Sequence, residues 1–494
     1  MIKLPLNVST ITRSIFISCI LLALLFIFSS VWKFISNIDE LSLKSDSSLI
    51  TSKFSYYIDY NNNFDINTLI DNKAFKTLFT PSLANDIPYE LGYQSYWVKI
   101  NITNNSPNIK HLVLHADNSM LAFFDVYKIN YTLDNVDLIS QQNTFVDQKK
   151  LLYVFPNMSF DLVGNGSIQL IAHLKSNGPP NVPLVIYYKE NFEKRVDYAQ
   201  IVFGLFIGII LLMSTYNLVL FFATRDKVYL VYIGYLISSF IVLAGLTGYG
   251  YLIFSKHIQY SIHEYLLFID YFLVFFLLLF SLYFLRYDQV KNITYKIGIA
   301  SSIFLIVIAF YSLSLNQITQ TKLFFSIQPA YYLFSMFIIF SRLSKDFSWA
   351  RFYFISWMPL LAGAVIQPLV LLNYVDSTFL TRNAFLFAVM IEITFMAFAL
   401  AERMRRNDQD RIHGISYHDL NDLPRKSMLE DAMTKLQTSG QNNFSILVIN
   451  PAHIEQISLY IDDKANAALF KRLSQRLSSL FIHNDAIVTL ASKN

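Results

Sequence analysis

A few side chains stand where chemistry or ligand contact is conceivable. In the stretch "YWVKINIT", strict alternation places Tyr96, Val98, Ile100 and Ile102 on one face of a strand and Trp97, Lys99 and Asn101 on the other. An indole beside an ammonium group could stack on a sugar or cap an anionic ligand, so Trp97 and Lys99 are the candidate ligand-binding pair. The competing expectation is that a second sheet or a loop covers this face and makes Trp97 core. Asp270 and Glu392 lie inside apolar stretches, where an ionised carboxylate is costly unless paired or hydrated. Both are expected to face the interior of a bundle. There they either answer a signal by changing protonation or partner, or act, like Asn217 and Gln367, as hydrogen-bonding groups between helices. His111, His115 and His173 are expected on separate strands, and no acidic partner at fixed spacing makes them a metal site. Nothing in the sequence implies a cofactor.

These positions make sense only around a membrane. Of 494 residues, 54% are hydrophobic and 15% charged, whereas soluble domains carry about a quarter charged residues. The net charge of +4 is spread along the chain and gives no nucleic-acid signal. The single cysteine, Cys19, excludes a disulfide within one chain and a cysteine-based metal site. An apolar run from Ile15 to Val31 follows Lys3 and Arg13, ends at Trp32 and Lys33, and precedes no small-residue cleavage site, so it reads as an uncleaved signal anchor. After a mostly polar region, apolar stretches return at about 198–223, 229–253, 262–285, 295–314, 323–341, 352–373 and 379–401, which are seven further helices.

Lysine and arginine favour cytoplasmic loops. One alternate set of loops carries Arg225, Lys227, Arg286, Lys291, Lys296, Arg342, Lys345 and Arg351; the other carries only Lys256, Lys322 and Arg382. The asymmetry predicts cytoplasmic termini and an external segment over 36–197. Pro329, Pro359 and Pro368 fall in the fifth and sixth helices and can kink them, so a bend there needs no functional explanation. The external residues 51–190 read as short strands broken by Asn, Gly and Pro, with Ile168, Leu170, Ala172 and Leu174 of "SIQLIAHLKS" sharing a face, which predicts an all-β sandwich.

The stretches "SYWVKINITNNS" and "VPLVIYY" outside, "YNLVLFFATRDKVYLVYIGYL" across two helices and "ITFMAFALAERMRR" at the end of the last resemble the bacterial seven-transmembrane receptors with diverse intracellular signalling modules. The resemblance covers residues 51–406. It implies an external sandwich of jelly-roll, carbohydrate-binding-like type, a seven-helix transducer and a cytoplasmic output module, often a cyclic-di-GMP enzyme.

After the bundle, Leu429, Met433 and Leu436 line a helix, "FSILVI" is a strand, Leu469, Leu473, Leu477 and Leu480 line a second helix, and "AIVTL" is a second strand. This α-β-α-β order resembles the first half of a GGDEF domain, without a gap from Phe444 to Leu477. "HDLNDLPRK" keeps Leu420, Leu423 and Pro424 of that family's opening motif but has His418 in place of its Asp. The resemblance implies that the two metal-binding Asp positions hold Asn450 and Lys493, and that the position two residues after the first is Ala452. The phosphate-side Lys is Glu455, and the guanine-contacting pair is Ser458 and Ala467. Where the signature should stand the chain reads Ala491, Ser492, Lys493, Asn494. Asp485 of the product-inhibition motif is kept, but its Arg is Ile482. Phosphoryl transfer needs metal ions held by carboxylates, so the expectation is a catalytically inactive, partial α/β GGDEF-like module.

The resulting layout is a multidomain membrane protein: cytoplasmic N-terminus 1–12, transmembrane anchor 13–35, linker 36–50, periplasmic sandwich 51–190, seven-helix domain 197–404, linker 405–415 and GGDEF-like module 416–494. The expected role is an inner-membrane receptor relaying a periplasmic signal to the inactive module. Expected partners are a periplasmic small molecule, carbohydrate among the classes, or a periplasmic protein; a cytoplasmic signalling protein or a second copy of the chain; and membrane lipid. The alternative is a truncated form of a membrane-bound cyclic-di-GMP enzyme, either a degenerate GGDEF segment followed by a missing phosphodiesterase domain or a diguanylate cyclase.

Overall fold

The computed structural model describes residues 49–416, except 52–53, 67–77, 83–93, 119–120, 131–134, 144–155, 177–183, 344–346, 372–373 and 376–377, together with a few residues between 433 and 476. The expected anchor over 13–35 lies outside the described residues, as do the GGDEF-like positions Asn450, Ala452, Glu455, Ser458, Ala467, Lys493 and Asn494.

Among the described residues ten strands precede the helices: β1 (Leu49–Thr51), β2 (Ser55–Asp59), β3 (Thr80–Pro81), β4 (Ser95–Asn104), β5 (Lys110–Ala116), β6 (Leu121–Asn130), β7 (Asn135–Asn143), β8 (Asn157–Leu162), β9 (Ser167–Ser176) and β10 (Leu184–Tyr188). They pair antiparallel into a seven-stranded sheet, ordered β3-β2-β4-β9-β6-β7 with β1 also on β4, and a three-stranded sheet, β10-β5-β8. The expected alternation holds. Val98, Ile100 and Ile102 of β4 and Leu170, Ala172 and Leu174 of β9 pack with Leu112 and Leu114 of β5, Phe160 of β8 and Ile186 of β10 in one core shared by the two sheets. Period-two burial drives this packing, because each strand can offer one apolar face to the other layer. Buried Asn104 closes one end: its side-chain amide donates to the Asn108 carbonyl at 2.8 Å and the Val163 carbonyl at 3.1 Å, and its Oδ1 accepts from Ser106 N–H at 2.9 Å. Beside it a Cβ on Gly164 would lie 2.0 Å from the Pro107 carbonyl oxygen, so only glycine fits. His111 and His115 share β5 rather than lying on separate strands, and only His173 sits elsewhere, on β9.

The α-helices described after them are α1 (Lys189–Thr224), α2 (Lys227–Thr247), α3 (Lys256–Glu264), α4 (Leu266–Phe284), α5 (Tyr287–Val290), α6 (Ile293–Ser312), α7 (Gln317–Leu343), α8 (Phe347–Leu371), α9 (Phe379–Arg382) and α10 (Ala384–Ser416). Among the described residues seven helices, α1, α2, α4, α6, α7, α8 and α10, are long and apolar enough to cross a membrane. Helix α4 is the hub, packing on α2, α6 and α7. Leu212, Val219, Phe222, Val307, Leu333 and Phe398 remain on outward faces, as lipid-facing side chains do. Pro329 lies within α7, and Pro359 and Pro368 lie within α8, as expected.

The span limits differ most from the hydropathy reading at the first and last helices. Helix α1 begins at Lys189, not near 198, because β10 runs straight into it with Tyr188 as the N-cap. The last expected span, 379–401, is two helices: α9 ends at Arg382, with Asn383 as its C-cap, and α10 then runs unbroken to Ser416. Apolarity marks where lipid is, whereas a helix continues into water wherever its backbone stays bonded.

Candidate functional site

The outer face of the larger sheet holds Trp97. Tyr57, Trp97 and His173 are register partners across β2, β4 and β9. The Trp97 and His173 rings stack at 3.8 Å with planes 6° apart, and Tyr127 lies 6.2 Å from the indole. Ile66, Phe79, Ile129 and Ile171 complete a cluster that leaves Trp97 1% exposed. The chain after β2 is folded back by buried Asp59, whose carboxylate accepts from Asn61 N–H at 3.3 Å and Phe64 N–H at 2.9 Å. The Lys99 ammonium lies 4.8 Å from the centre of the Phe79 ring. Trp97 is therefore not presented as a surface platform. The competing expectation describes it, since a second layer encloses the ring, and a ligand at this face would meet Lys99 and the covering segment first. Burial pushes the His173 imidazole down to about 4, against the pull of Asp59 and Asp65.

The bundle interior separates the two carboxylates singled out in the sequence. Glu392 on α10 is 0% exposed and accepts a hydrogen bond from the Tyr235 hydroxyl of α2 at 3.0 Å. Around it Tyr235 stacks on Tyr232 at 5.8 Å, Tyr232 meets Phe280 at 4.9 Å, and the Tyr353 hydroxyl lies 2.6 Å from Ser281 Oγ. Asp270 lies on α4 and is half-buried. Asn217 is fully buried but donates within its own helix, to the Met213 carbonyl at 2.7 Å. Gln367 does join helices, its Oε1 accepting from Phe385 N–H of α10 at 3.5 Å.

The third place joins sandwich and bundle. Just past β5, Asp117 Oδ2 accepts from Arg195 Nη2 of α1 at 3.0 Å and lies 3.4 Å from Arg382 Nε at the end of α9. His115 Nε2 is 3.7 Å from the other carboxylate oxygen, an electrostatic neighbour rather than a hydrogen bond. The Arg195 guanidinium lies 5.5 Å from the Tyr187 ring and 5.7 Å from that of Phe379. Val113, Tyr187, Phe192 and Val196 form the apolar floor, where the smaller sheet meets α1. Burial alone would raise the Asp117 carboxyl, but Arg382, the adjacent imidazole and Arg195 outweigh it and hold the group well below the usual carboxylate range. Burial drives the His115 imidazole the same way, down, against the pull of Asp117.

Sequence reasoning missed Asp117 and Arg195 and met Arg382 only as a loop charge. One signal was available: Arg382 is a cation on the loop set otherwise poor in them, where a buried partner would account for it. Among the described residues no three His, Cys, Asp or Glu side chains form a group that could hold a metal ion.

No curated protein matches the chain. Residues 51–188 match the family described as 7TMR-DISM extracellular 2, and residues 199–403 match the one described as 7TM diverse intracellular signalling. In that order along the chain, the two matches support the family of seven-transmembrane receptors with diverse intracellular signalling modules and indicate a membrane receptor with extracellular sensing and intracellular signalling.

Proposed function

We propose that this receptor sits in a bacterial inner membrane with both termini in the cytoplasm, and that it senses in the periplasm. Its two-sheet domain, of jelly-roll, carbohydrate-binding-like type, meets a small molecule, with carbohydrate the leading class, or a periplasmic protein. The bundle relays the event to a GGDEF-like module that makes no cyclic-di-GMP and instead engages a cytoplasmic signalling protein or a second copy of the chain. The supporting observation is the absence of any linker between β10 and α1: Tyr188 ends the strand and caps the helix, so a change in the sandwich reaches the first span directly.

The inactivity of the module rests on electrostatics. A nucleoside triphosphate arrives with its Mg²⁺, which protein carboxylates must hold during transfer; Asn450, Ala452 and Lys493 offer none. The test uses the full chain in lipid nanodiscs, with a saccharide panel outside and Mg²⁺-GTP in the buffer. A rise in melting temperature with one saccharide class and no cyclic-di-GMP above a no-protein control is the expected result. Turnover in a preparation free of host cyclases would sink the inactive reading, and the absence of any thermal shift would turn the search to a protein partner.

A further inference from the structure

The contact between sandwich and bundle is more elaborate than attachment requires. Val113, Tyr187, Phe192 and Val196 already supply an apolar interface. To this the chain adds a carboxylate between two guanidiniums, with side chains only 11% (Asp117), 13% (Arg195) and 18% (Arg382) exposed. Such a buried ionic group is weak evidence for stability, because apolar side chains of similar size commonly serve as well. Its distinguishing property is different: breaking one contact leaves a poorly hydrated charge, so the group tolerates few arrangements.

Resting on the receptor reading, we propose that Asp117 is the coupling residue, which ties the end of β5 at once to Arg195 on the first span and to Arg382 at the head of the seventh, so that movement of β5 is delivered to α10. The frame around each partner suits this role. β5 is the central strand of the smaller sheet, between β10 and β8, and β10 is continuous with α1, so a shift of β5 against β10 is a shift against the first span. Arg382 stands on a braced turn: Thr378 and Thr381 form a reciprocal capping box over α9, and the Asn383 amide donates to the Phe379 carbonyl at 2.9 Å. A displacement of its guanidinium therefore moves the start of α10 rather than being absorbed in slack chain. Helix α10 then runs to Ser416, and toward its far end Glu402 pairs with Arg405 at 2.8 Å and Arg406 at 2.9 Å, which supports the helix past its apolar part. Asp117 is a positioning residue here; it need not touch any ligand.

The test is amide hydrogen exchange on the full chain in nanodiscs, comparing the unmodified protein with Asp117→Asn, Arg382→Gln and the double variant. Each single change should speed exchange over residues 379–388 by about tenfold or more, and the double should add little beyond the larger single effect, since both remove one interaction. Exchange over 403–416 should change in the same variants, while β4 and β9 amides stay as they were. Arg382→Gln leaves the Asp117–Arg195 pair in place, so it decides the matter if Asp117→Asn does not fold. Unchanged exchange over 379–388, additive effects of the two singles, or a change that stops short of residue 403 would each overturn the proposal. No ligand enters the experiment, so a failed ligand search leaves this result standing and a failure here leaves the receptor reading standing.

Discussion

Asp117 Oδ2 lies 3.4 Å from Arg382 Nε, across a sequence separation that contains six of the seven candidate spans. The contact puts the loop before the last span on the same side as the sandwich, which an even number of crossings requires. It also gives Arg382 an anionic partner.

That relationship yields a topology prediction. With the sandwich outside, one further crossing by α10 carries Arg406 to the cytoplasm. Alkaline phosphatase fused after Asp59 should be active, and fused after Arg406 it should be silent; the reverse pattern would end this arrangement.

Trp97 should behave as core. Trp97→Ala removes a ring packed on His173, Ile171 and Phe79 and should cost about 3–5 kcal/mol, comparable with Ile100→Ala at about 2–5 kcal/mol. Chemical denaturation of the full chain, followed by a signal confined to the sandwich, measures both. A Trp97→Ala protein of unchanged stability would return the residue to the ligand-binding role.

The sandwich should weaken on mild acidification. His173 is pushed down to about 4 when folded, against about 6.5 when unfolded, so the unfolded chain takes up the proton first. Its contribution is complete above pH 6.5 and is lost as pH falls from 6.5 to 4, by at most about 3 kcal/mol. His115, also lowered by burial, acts in the same direction. Asp117, lowered in the fold, acts only below about pH 4. His173→Gln should flatten the stability profile between pH 6.5 and 4; an unaltered slope would exclude this histidine as its source.

Inside the bundle, Tyr235→Phe removes the hydroxyl that serves Glu392 and should cost about 1 kcal/mol, the scale of interhelical hydrogen bonds in membranes. Glu392→Gln keeps an acceptor at the same place and should cost less. Thermal unfolding in detergent distinguishes the two, and the opposite ranking would show that the carboxyl has another partner.

Spans six and seven meet at Gly363, where an added Cβ would lie 2.4 Å from the Ala388 Cβ and 3.0 Å from the Ala384 carbonyl oxygen. Gly363→Ala should lower the melting temperature by several degrees, since overpacking costs about 1–3 kcal/mol. Adding Ala388→Gly should recover part of the loss. Additive destabilisation would mean that the helices are not this close.

The seven spans, the layers of the sandwich core and the family were legible in the sequence because each rests on local pattern. Apolar length is set by lipid thickness, and alternation in β4 and β9 by the pleat. The fate of Trp97 was not legible. Alternation decides only which face a side chain takes, and whether that face meets solvent depends on the chain around Phe64 and Phe79, which Asp59 and packing bring back over it. Glu392 and Asp270 look alike as carboxylates in apolar runs, and only the meeting of α2 with α10 shows that Glu392 is served by Tyr235. The junction was least legible of all. Asp117, Arg195 and Arg382 have no common spacing, and their meeting depends on β10 passing unbroken into α1 and on α9 turning back toward the sandwich, so only the tertiary structure could decide it.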